Sequence, residues 1–432
     1  MNIYYTFDEH DECTTDQIDK IIRFSDSGSF SYTFWQHIIK LPNWYSDAGL
    51  DLLHISLAVY AADRLCLRSD AHDAWSRSFV LYVPVLNIDI WRRNGELLNR
   101  TLSFLSGDKW RFVFRARQYT DLEKRHKRKW EKSKQSVRDY DQVCMFSGGL
   151  DSFIGAIDLL QEKTKRTLFV SHYGGGKGTK EYQDRLKEKF IARFGLDSSD
   201  FVQFYAKVVA GVEDTTRTRS FMFFSHAIAL ATALGKEVNL IIPENGLISL
   251  NIPLTYSRLG TSSTRTTHPH YMALLQELLT NIGISVHMSN PYQFKTKGEM
   301  LVDCKDQEFM RANLSNTMSC SHPDLGRMSG EREAKHCGYC LPCVVRLAAL
   351  KRAGITDTST YRDEHFQQGA TATEIFNSYR LGMARFNPRY AFLTIQQSGS
   401  VTHNIDAFAQ LYIRGMNEIK EYIEEHEKNV SS

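Results

Sequence analysis

No stretch of this sequence approaches the ~20 uninterrupted apolar residues that cross a bilayer, so we expect no membrane-spanning helix. The first residues, MNIYYTFDEHDECTTD, are acidic and lack the basic-then-apolar order of a signal peptide. The net charge is only +3, from 53 basic and 50 acidic residues, which gives no case for a nucleic-acid-binding protein. Internal repeats and low-complexity tracts are also absent. We therefore expect a cytoplasmic protein with neither a membrane nor a nucleic acid as partner.

Apolar material for a globular core is plentiful. Apolar residues make up 42% and charged residues 24% of the 432 residues, as in soluble globular proteins. A chain of this length accommodates two or three units of ~150 residues each. Changes in pattern along the chain therefore indicate where these units begin and end.

Residues 1–120 are predicted to form an N-terminal α+β domain with no assignable chemical task. Apolar residues recur at helical spacing within 47–65, and residues 79–91 are rich in the β-branched and aromatic residues of strands. Residues 110–117 alternate between apolar and mostly basic side chains, which is typical of a half-buried strand.

Residues 121–139 are a dense basic run with one tryptophan. Such a run fits a contact with a phosphate backbone or an acidic partner, and it equally fits a solvated helix or linker between domains. We favour the basic linker, because the net charge is small and no series of aromatic residues for stacking accompanies the run.

From residue 140 onward, short apolar runs alternate with helical patterns. This alternation predicts an α/β fold with a doubly wound, mostly parallel sheet, whose ligand site lies beyond the carboxyl ends of the strands. The alternation runs to about residue 300. We assign the domain that contains it to residues 140–355 and expect residues 356–432 to form a helical C-terminal extension.

A glycine-containing loop at residues 147–152 is the strongest local signal, since it stands between a predicted strand and a predicted helix. Paired glycines let the backbone approach an anion closely, and the N–H groups of the first helical turn attract phosphate. Serine hydroxyls at both ends add neutral donors. The loop residues are Ser147, Gly148, Gly149, Leu150, Asp151 and Ser152.

Asp151 is an unusual residue beside phosphate unless a divalent cation lies between them, so we assign it to Mg²⁺ as a hypothesis. Gly, Ser and Asp are also common turn residues, so an ordinary strand–turn–helix connection is the alternative. The full SGGxDS pattern, with a strand before it and a helix after it, is the PP-loop signature of enzymes that cleave ATP to AMP and pyrophosphate. It is not a Walker A sequence, which disfavours a kinase or a motor.

Four of the eight cysteines are grouped, and they predict a zinc site. Two overlapping C-x-x-C steps bring three thiolates together, and Cys320 can complete the tetrahedron that structural zinc requires. His322 and His336 are alternative ligands, and a redox or sulfur-transfer pair is the other interpretation of C-x-x-C. The four cysteines are Cys320, Cys337, Cys340 and Cys343.

The two motifs, in this order and separation, resemble the 7-cyano-7-deazaguanine synthase family (QueC/ExsB) over roughly residues 140–355. Further matches are Tyr173-Gly174, Arg219-Ser220 and the TKxEM segment that contains Lys297. The resemblance implies a PP-loop fold, ATP as activator, 7-carboxy-7-deazaguanine as substrate, and an acyl-adenylate that passes to ammonia.

Those matches imply roles for single residues. Ser147, Asp151, Ser152 and Lys297 are the expected catalytic residues. Tyr173 and Arg219 join the loop in binding ATP. The deazaguanine substrate is expected at the end of the fourth strand of this region, at Glu244, Asn245 and Gly246.

Departures from the family pattern point to a branch of it. Ordinary members lack residues 1–120 and the tail past 355, and residues 243–271 replace the compact segment expected around the base. An enlarged chain of this kind resembles the QueC-like proteins of bacterial antiphage defence operons such as the Qat system. That branch implies an acceptor amine at the N-terminus of a partner protein from the same operon, with residues 1–120 as its docking surface.

The sequence leaves three other functions open. The chain fits a plain nitrile-forming synthase that uses ammonia. It also fits a tRNA-thiolating PP-loop enzyme whose cysteines carry sulfur. Finally, it fits a nucleotide-sensing module without catalysis, although the intact serines and aspartate of the loop weigh against that.

Overall fold

Two β-sheets organise the chain in the computed structural model. The structure describes residues 1–7, 17–24, 30–133, 137–174, 177–215, 217–254, 265–327, 330–367 and 369–431. The first elements in chain order are β1 (Asn2–Thr6), β2 (Lys20–Arg23), β3 (Phe30–Tyr32), α1 (Asp47–Leu65), β4 (Ser78–Val85), α2 (Ile88–Ser106), β5 (Lys109–Ala116) and α3 (Asp121–Lys132).

The first sheet is wholly parallel, in the order β2-β1-β4-β5. α2 connects β4 to β5 as a crossover helix, which parallel neighbours require. The expected α+β arrangement is therefore corrected to α/β. Strand direction follows from where the connecting helices return the chain, and the local sequence pattern carries no information about that.

The strand predicted at 79–91 is shorter than expected. β4 ends at Val85, because the Asn87 side chain accepts a hydrogen bond from the Ile90 amide at 3.2 Å and caps α2. Trp91 is then buried on the helix. Apolar and β-branched composition alone did not reveal this change from strand to helix.

The basic run forms the surface helix α3. A capping box between Thr120 and Glu123 begins it. Trp130 is buried, and its indole N–H donates to the Leu41 carbonyl at 2.9 Å. The helix predicted as one interpretation of this run is therefore present up to Lys132, and residues 134–136 lie outside the described residues.

The chain from residue 142 onward carries five of the six strands of the larger sheet and most of the described helices. Its elements are β6 (Gln142–Met145), α4 (Leu150–Glu162), β7 (Thr167–Tyr173), α5 (Lys177–Phe194), β8 (Phe201–Val208), α6 (Arg219–Thr232), β9 (Val238–Ile241), α7 (Gly246–Leu250), α8 (Pro269–Asn281), β10 (Val286–Ser289), α9 (Lys297–Asp303), α10 (Gln307–Ala312), α11 (Leu341–Arg352), α12 (Ala370–Arg385), α13 (Ala391–Ser398) and α14 (Ile405–Ser431).

The six-stranded sheet has the order β10-β9-β6-β7-β8-β3. Strands β6 to β10 are parallel, and β3 adds an antiparallel edge to β8. The chain moves from β6 to β7 and β8 on one side, then returns to β9 and β10 on the other. In parallel α/β sheets, the point where the order reverses is where ligands bind, outside the carboxyl ends of the strands.

The two sheets share one apolar core. α1 packs on α6 and α2 packs on α8, and the common cluster of buried side chains includes Leu57, Leu81, Val143 and Ile228. A separate cluster joins α12, α13 and α14 to α7 and α11. No helix within the described ranges is long and apolar enough to span a membrane.

Candidate functional site

The loop at residues 147–149 connects β6 to α4 at the carboxyl edge of the large sheet. Gly148 has φ +85°, and a Cβ there would lie 3.0 Å from Gln183 Cγ, so both backbone and space favour glycine. Gly149 is the N-cap of α4 and offers no side-chain acceptor to the first helical turn. The predicted strand–loop–helix is confirmed.

The backbone donors of this loop are engaged by long hydrogen bonds, whereas the Ser152 hydroxyl donates to the Gly149 carbonyl at 3.0 Å. The Gly149 amide donates to Ser147 Oγ at 3.3 Å, and the Leu150 amide donates to Ser319 Oγ at 3.4 Å. The hydroxyls of Ser147 and Ser152 lie 3.1 Å apart. The two amide distances exceed the 2.9–3.0 Å typical of good N–H···O bonds. The amides of Gly149 and Leu150 are therefore readily redirected to an anion at the N-terminus of the 13-residue helix α4.

Asp151 lies at the centre of a buried polar group. Lys297 Nζ is 2.8 Å from Asp151 Oδ1, and the two side chains are only 6% and 12% exposed. Asn245 donates to Asp151 Oδ2 twice, from its backbone amide at 3.1 Å and from its side chain at 2.7 Å. The structure thus brings together three of the residues predicted from separate parts of the sequence.

The assignment of Asp151 to Mg²⁺ finds no support in this arrangement. Both carboxylate oxygens already face donors, one of which is the ammonium group of Lys297. Mg²⁺ requires near-octahedral oxygen ligands, and an ammonium group in contact with the carboxylate repels a second cation. The residues present do not fit a resident Mg²⁺ at Asp151, and we derive no step through such an ion.

Glu244 lies beside this group and belongs to a second polar set. Thr267 Oγ1 donates to its carboxylate, and Asn290 Nδ2 donates to its backbone carbonyl at 2.7 Å. The side chain keeps part of its surface accessible. Burial raises the pKa of Glu244 to about 7, an effect opposed by the Thr267 hydrogen bond, increased by the charge of Asp151 and reduced by that of Lys297.

We expect Glu244→Gln to stabilise the protein relative to the wild type increasingly as the pH rises from 5 to 8. The folded state holds the Glu244 proton up to about pH 7, whereas an unfolded glutamate loses it near pH ~4.3. Between these values the folded state binds more protons, so the free energy of unfolding falls as the pH rises. Glutamine removes that fall, a gain of at most about 3 kcal/mol at about 1.4 kcal/mol per pKa unit.

Thermal unfolding of the variant and the wild type at pH 5 and pH 8 measures this difference. The exposed Glu162, which pairs with Lys305, provides the matched control as Glu162→Gln. A stability difference that is equal at both pH values contradicts the raised pKa.

Gly246 occupies a position that no larger residue fits. A Cβ there would overlap the Gln293 carbonyl oxygen and Leu411 Cδ2. Its amide donates to the Lys295 carbonyl at 2.9 Å, which holds the start of α7 against the segment before α9. Gly246 thus brings Asn245 and Lys297 within reach of the same carboxylate.

We expect Gly246→Ala to lower the free energy of unfolding by about 2 kcal/mol or more, since the overlap involves backbone that cannot rotate away. Urea unfolding measures it. Gly95→Ala is the control: it lies within α2, its nearest heavy atom is 3.6 Å away, and helix propensity predicts a gain of up to ~1 kcal/mol. A Gly246→Ala protein as stable as the wild type contradicts the close approach.

Tyr173 and Arg219 lie at the same edge of the sheet but apart from the Asp151 group. Tyr173 ends β7 and packs against Tyr205, with ring centroids 5.3 Å apart. Arg219 begins α6 and is exposed. Within the part of the chain that the structure describes, neither side chain hydrogen-bonds to the loop. The predicted segment at 243–271 is only partly placed, because residues 255–264 lie outside the described residues.

Two contacts at the loop were missed by the sequence analysis. Gln183 Nε2 donates to the carbonyls of Ser147 and His172, at 3.1 and 3.0 Å, and so bridges β6 and β7. The Met318 amide donates to the Gly148 carbonyl at 2.8 Å. Neither Gln183 nor Met318 stands in a recognisable motif, so no sequence signal pointed to them.

The four grouped cysteines converge on one point. Their sulfur atoms all lie within 4.8 Å of one another, and the pairs Cys320–Cys340 and Cys337–Cys343 are each 3.9 Å apart. Four ligands at about 2.3 Å from a tetrahedral zinc ion place sulfurs ~3.8 Å apart. This cluster could therefore hold a metal such as zinc.

The surroundings of the cysteines suit thiolate ligands. The amides of His322, Cys337 and Cys340 donate to cluster sulfurs at 3.2–3.3 Å. Gly338 turns the chain with φ +94°, and Cys340 caps α11. The alternative ligand His336 lies beside the cluster, with its Nδ1 3.8 Å from Cys343 Sγ. The other alternative, His322, is exposed.

The cysteine cluster adjoins the loop directly. Cys320 follows Met318 and Ser319, the two residues that hydrogen-bond to Gly148 and Leu150. A change in the cluster is therefore transmitted to the loop over one or two residues.

Comparison with models of protein families found no match, and comparison with curated proteins found no similar sequence.

Proposed function

We propose that this protein is an ATP-consuming enzyme of the PP-loop class that activates a carboxylate as its adenylate and transfers it to an amine. The observation that carries the proposal is the meeting of the SGGLDS loop with Lys297 and Asn245 at the carboxyl ends of β6 and β9. The reversal of strand order at the same point supports a doubly wound PP-loop fold.

In this proposal the loop binds the phosphates of ATP. The amides of Gly149 and Leu150 are loosely engaged donors at a helix N-terminus, beside the hydroxyls of Ser147 and Ser152. Donors positioned around the departing pyrophosphate stabilise the charge that develops on it. Lys297, which pairs with Asp151, supplies a cation that can turn toward a phosphate oxygen. Arg219 is exposed at the same edge and offers a second cation.

The reaction has two steps. The substrate carboxylate attacks the α-phosphorus of ATP, the bond to the β-phosphate breaks, and pyrophosphate leaves. The amine then attacks the acyl carbon, AMP leaves with the electrons of the acyl–oxygen bond, and the nitrogen loses a proton. A carboxylate is a poor electrophile, and adenylation provides the leaving group it lacks.

The proposed substrate is 7-carboxy-7-deazaguanine, and the proposed acceptor is the N-terminal amine of a partner protein from the same operon, in antiphage defence. The family resemblance of the loop and the cysteine segment supports the substrate. Glu244 has a pKa near 7, so its carboxyl group can donate or accept a hydrogen bond with the base at neutral pH. The N-terminal α/β layer is the proposed docking surface for the partner.

A zinc ion in the cysteine cluster would be structural. Four clustered sulfurs with backbone N–H···S bonds favour a closed metal site over a redox or sulfur-carrying pair. This weighs against a tRNA-thiolating enzyme.

Release of pyrophosphate from ATP, Mg²⁺ and 7-carboxy-7-deazaguanine tests the first step, because AMP leaves only when a nucleophile attacks the adenylate. The proposal expects release that requires the deazaguanine acid, measured without ammonia or partner. Addition of ammonia separates a plain nitrile-forming enzyme, which converts the acid by itself. Co-expression with operon partners, followed by intact mass measurement, tests the second step. A protein that binds ATP but releases no AMP under any of these conditions contradicts the enzyme and supports a nucleotide sensor.

A further inference from the structure

The C-terminal helix α14 contacts α7 and α9, the two helices whose N-terminal ends hold Asp151. Gly415 of α14 lies so close to α7 that a Cβ there would meet the Leu247 side chain at 2.8 Å. Leu411, one turn earlier, fills the space beside Gly246. α7 begins directly after Asn245, the residue that donates twice to Asp151. One turn of α14 therefore packs against the Asn245 side of the site.

The next turn of α14 contacts the Lys297 side. Glu418 is 8% exposed, and it accepts a hydrogen bond from Thr296 Oγ1. Thr296 is the N-cap of α9, and Lys297 is its first residue. A Cβ on Gly298 would lie 2.7 Å from Glu418 Oε1, so the carboxylate rests on the backbone of the first turn of α9.

A second link lies one turn before Glu418. Arg414 Nε is 2.6 Å from Glu299 Oε1, and Arg414 also donates to the Phe294 carbonyl at 2.9 Å. This ion pair is half exposed, so it contributes little to the stability of the helix contact by itself. Glu418 is the buried member of the two contacts, so it is the stronger of the two constraints that α14 places on the first turn of α9.

α9 is held by tertiary packing: α11 and α4 pack against it, with Met300 and Leu301 in the shared cluster, and Glu418 contacts its first turn. It has seven residues, and a helix of that length is marginal without tertiary packing. Its first residue carries an ammonium group that is almost completely buried against Asp151. A small rotation of this short helix would separate Nζ from the carboxylate, and a shift of about 1 Å in a reacting group can reduce a rate by about 100-fold.

We propose that Glu418 is a positioning residue: by holding Thr296 and the Gly298 backbone, it sets the place of Lys297 in the Asp151–Lys297–Asn245 group. This inference rests on the proposed function for its effect on catalysis. Its geometric part does not, because the position of the lysine can be measured without any reaction. If Glu418 only stabilised α14, its removal would loosen that helix while Lys297 stayed buried against Asp151.

Lysine acetylation of the native full chain, read by mass spectrometry, measures that position. Lys297 is protected in the wild type, with a side chain 6% exposed. Lys295, two residues earlier, is 40% exposed and serves as an internal reference on the same peptide. We expect Glu418→Ala to raise the acetylation rate of Lys297 by about tenfold or more relative to Lys295.

Two variants control the experiment. Glu418→Gln keeps an acceptor for Thr296 and is expected to protect Lys297 almost as well as the wild type. Glu421→Ala removes an exposed glutamate nearby on α14 and is expected to change nothing. If Glu418→Ala fails to fold, Arg414→Ala is measured instead. It removes the outer contact of the same helix and is expected to raise the acetylation rate of Lys297 above the wild-type rate, by less than about tenfold.

Activity separates this inference from the proposed function. In an active wild type, Glu418→Ala is expected to lower kcat for AMP release by about tenfold or more with a smaller change in KM for ATP, and Glu418→Gln to restore it. An inactive wild type overturns the proposed function and leaves the acetylation result to decide on Glu418. Unchanged Lys297 protection in a folded Glu418→Ala protein overturns the positioning role.

Discussion

Replacing Asp151 with asparagine is expected to lower the release of AMP and pyrophosphate by at least about 100-fold, the scale at which a group that organises charge in a transition state acts. The carboxylate is the point where Lys297 and Asn245 meet. Asparagine keeps the size of the side chain but removes the charge that holds Lys297. The released ammonium group then loses its place in the site.

The same change also has a stability effect that must be separated from catalysis. Removing one member of a buried ion pair leaves an uncompensated charge and costs about 3–5 kcal/mol. The double variant Asp151→Asn/Lys297→Met removes both charges, so it is expected to recover much of the stability and none of the activity. Thermal unfolding and AMP release, measured on the single and double variants, distinguish the two effects.

Glu162→Gln is the matched control, because Glu162 lies on the same helix in an exposed pair with Lys305. It is expected to leave both stability and AMP release near the wild-type values. Wild-type activity in the double variant would remove the Asp151–Lys297 pair from the mechanism.

Replacing Cys337 with serine is expected to remove a bound metal and to lower the thermal midpoint strongly. Cys337 is fully buried, and its sulfur is 3.9 Å from that of Cys343. Structural zinc sites contribute about 10 kcal/mol or more to the folding of small metal-binding peptides. Loss of the metal leaves buried sulfurs crowded together with no ion to hold them.

The effect of this change is expected to extend to the nucleotide. Met318 and Ser319 precede Cys320 and hydrogen-bond to the loop, so disorder in the cysteine segment loosens Gly148 and Leu150. We expect weaker ATP binding in Cys337→Ser even at temperatures where the protein remains folded. Metal content by elemental analysis and ATP affinity by calorimetry measure the two consequences.

Cys304→Ala is the control for cysteine loss in general. Cys304 is buried but lies outside the cluster, so this variant is expected to retain one metal ion per chain and to bind ATP normally. Wild-type protein purified without any metal, with unchanged stability after chelation, would contradict the metal site.

Local sequence pattern was sufficient to predict several parts of the site. The SGGLDS loop appears between a strand and a helix as predicted, because glycine tolerance of positive φ and helix capping are short-range effects. The cysteine spacing also predicted its cluster, since three of the four ligands lie within seven residues. In both cases the interacting atoms are close along the chain.

The contacts around Asp151 were beyond the reach of local pattern. Asn245 is 94 residues away in sequence, and its partner could be identified only once β6 and β9 were known to be neighbours. The same limit explains why the Mg²⁺ hypothesis finds no support in the structure. The loop sequence shows that a carboxylate is present, but not that an ammonium group from α9 already compensates it.

Periodicity and spacing over a few residues were enough to predict the alternating α/β pattern of residues 140–300, the glycine-containing loop at 147–152 and the four-cysteine group. Tertiary structure alone decided the parallel order of the N-terminal sheet, the pairing of Lys297 with Asp151 and the support of both α7 and α9 by α14. These depend on how distant segments return to the same edge of a sheet, which is set by the packing of the whole chain.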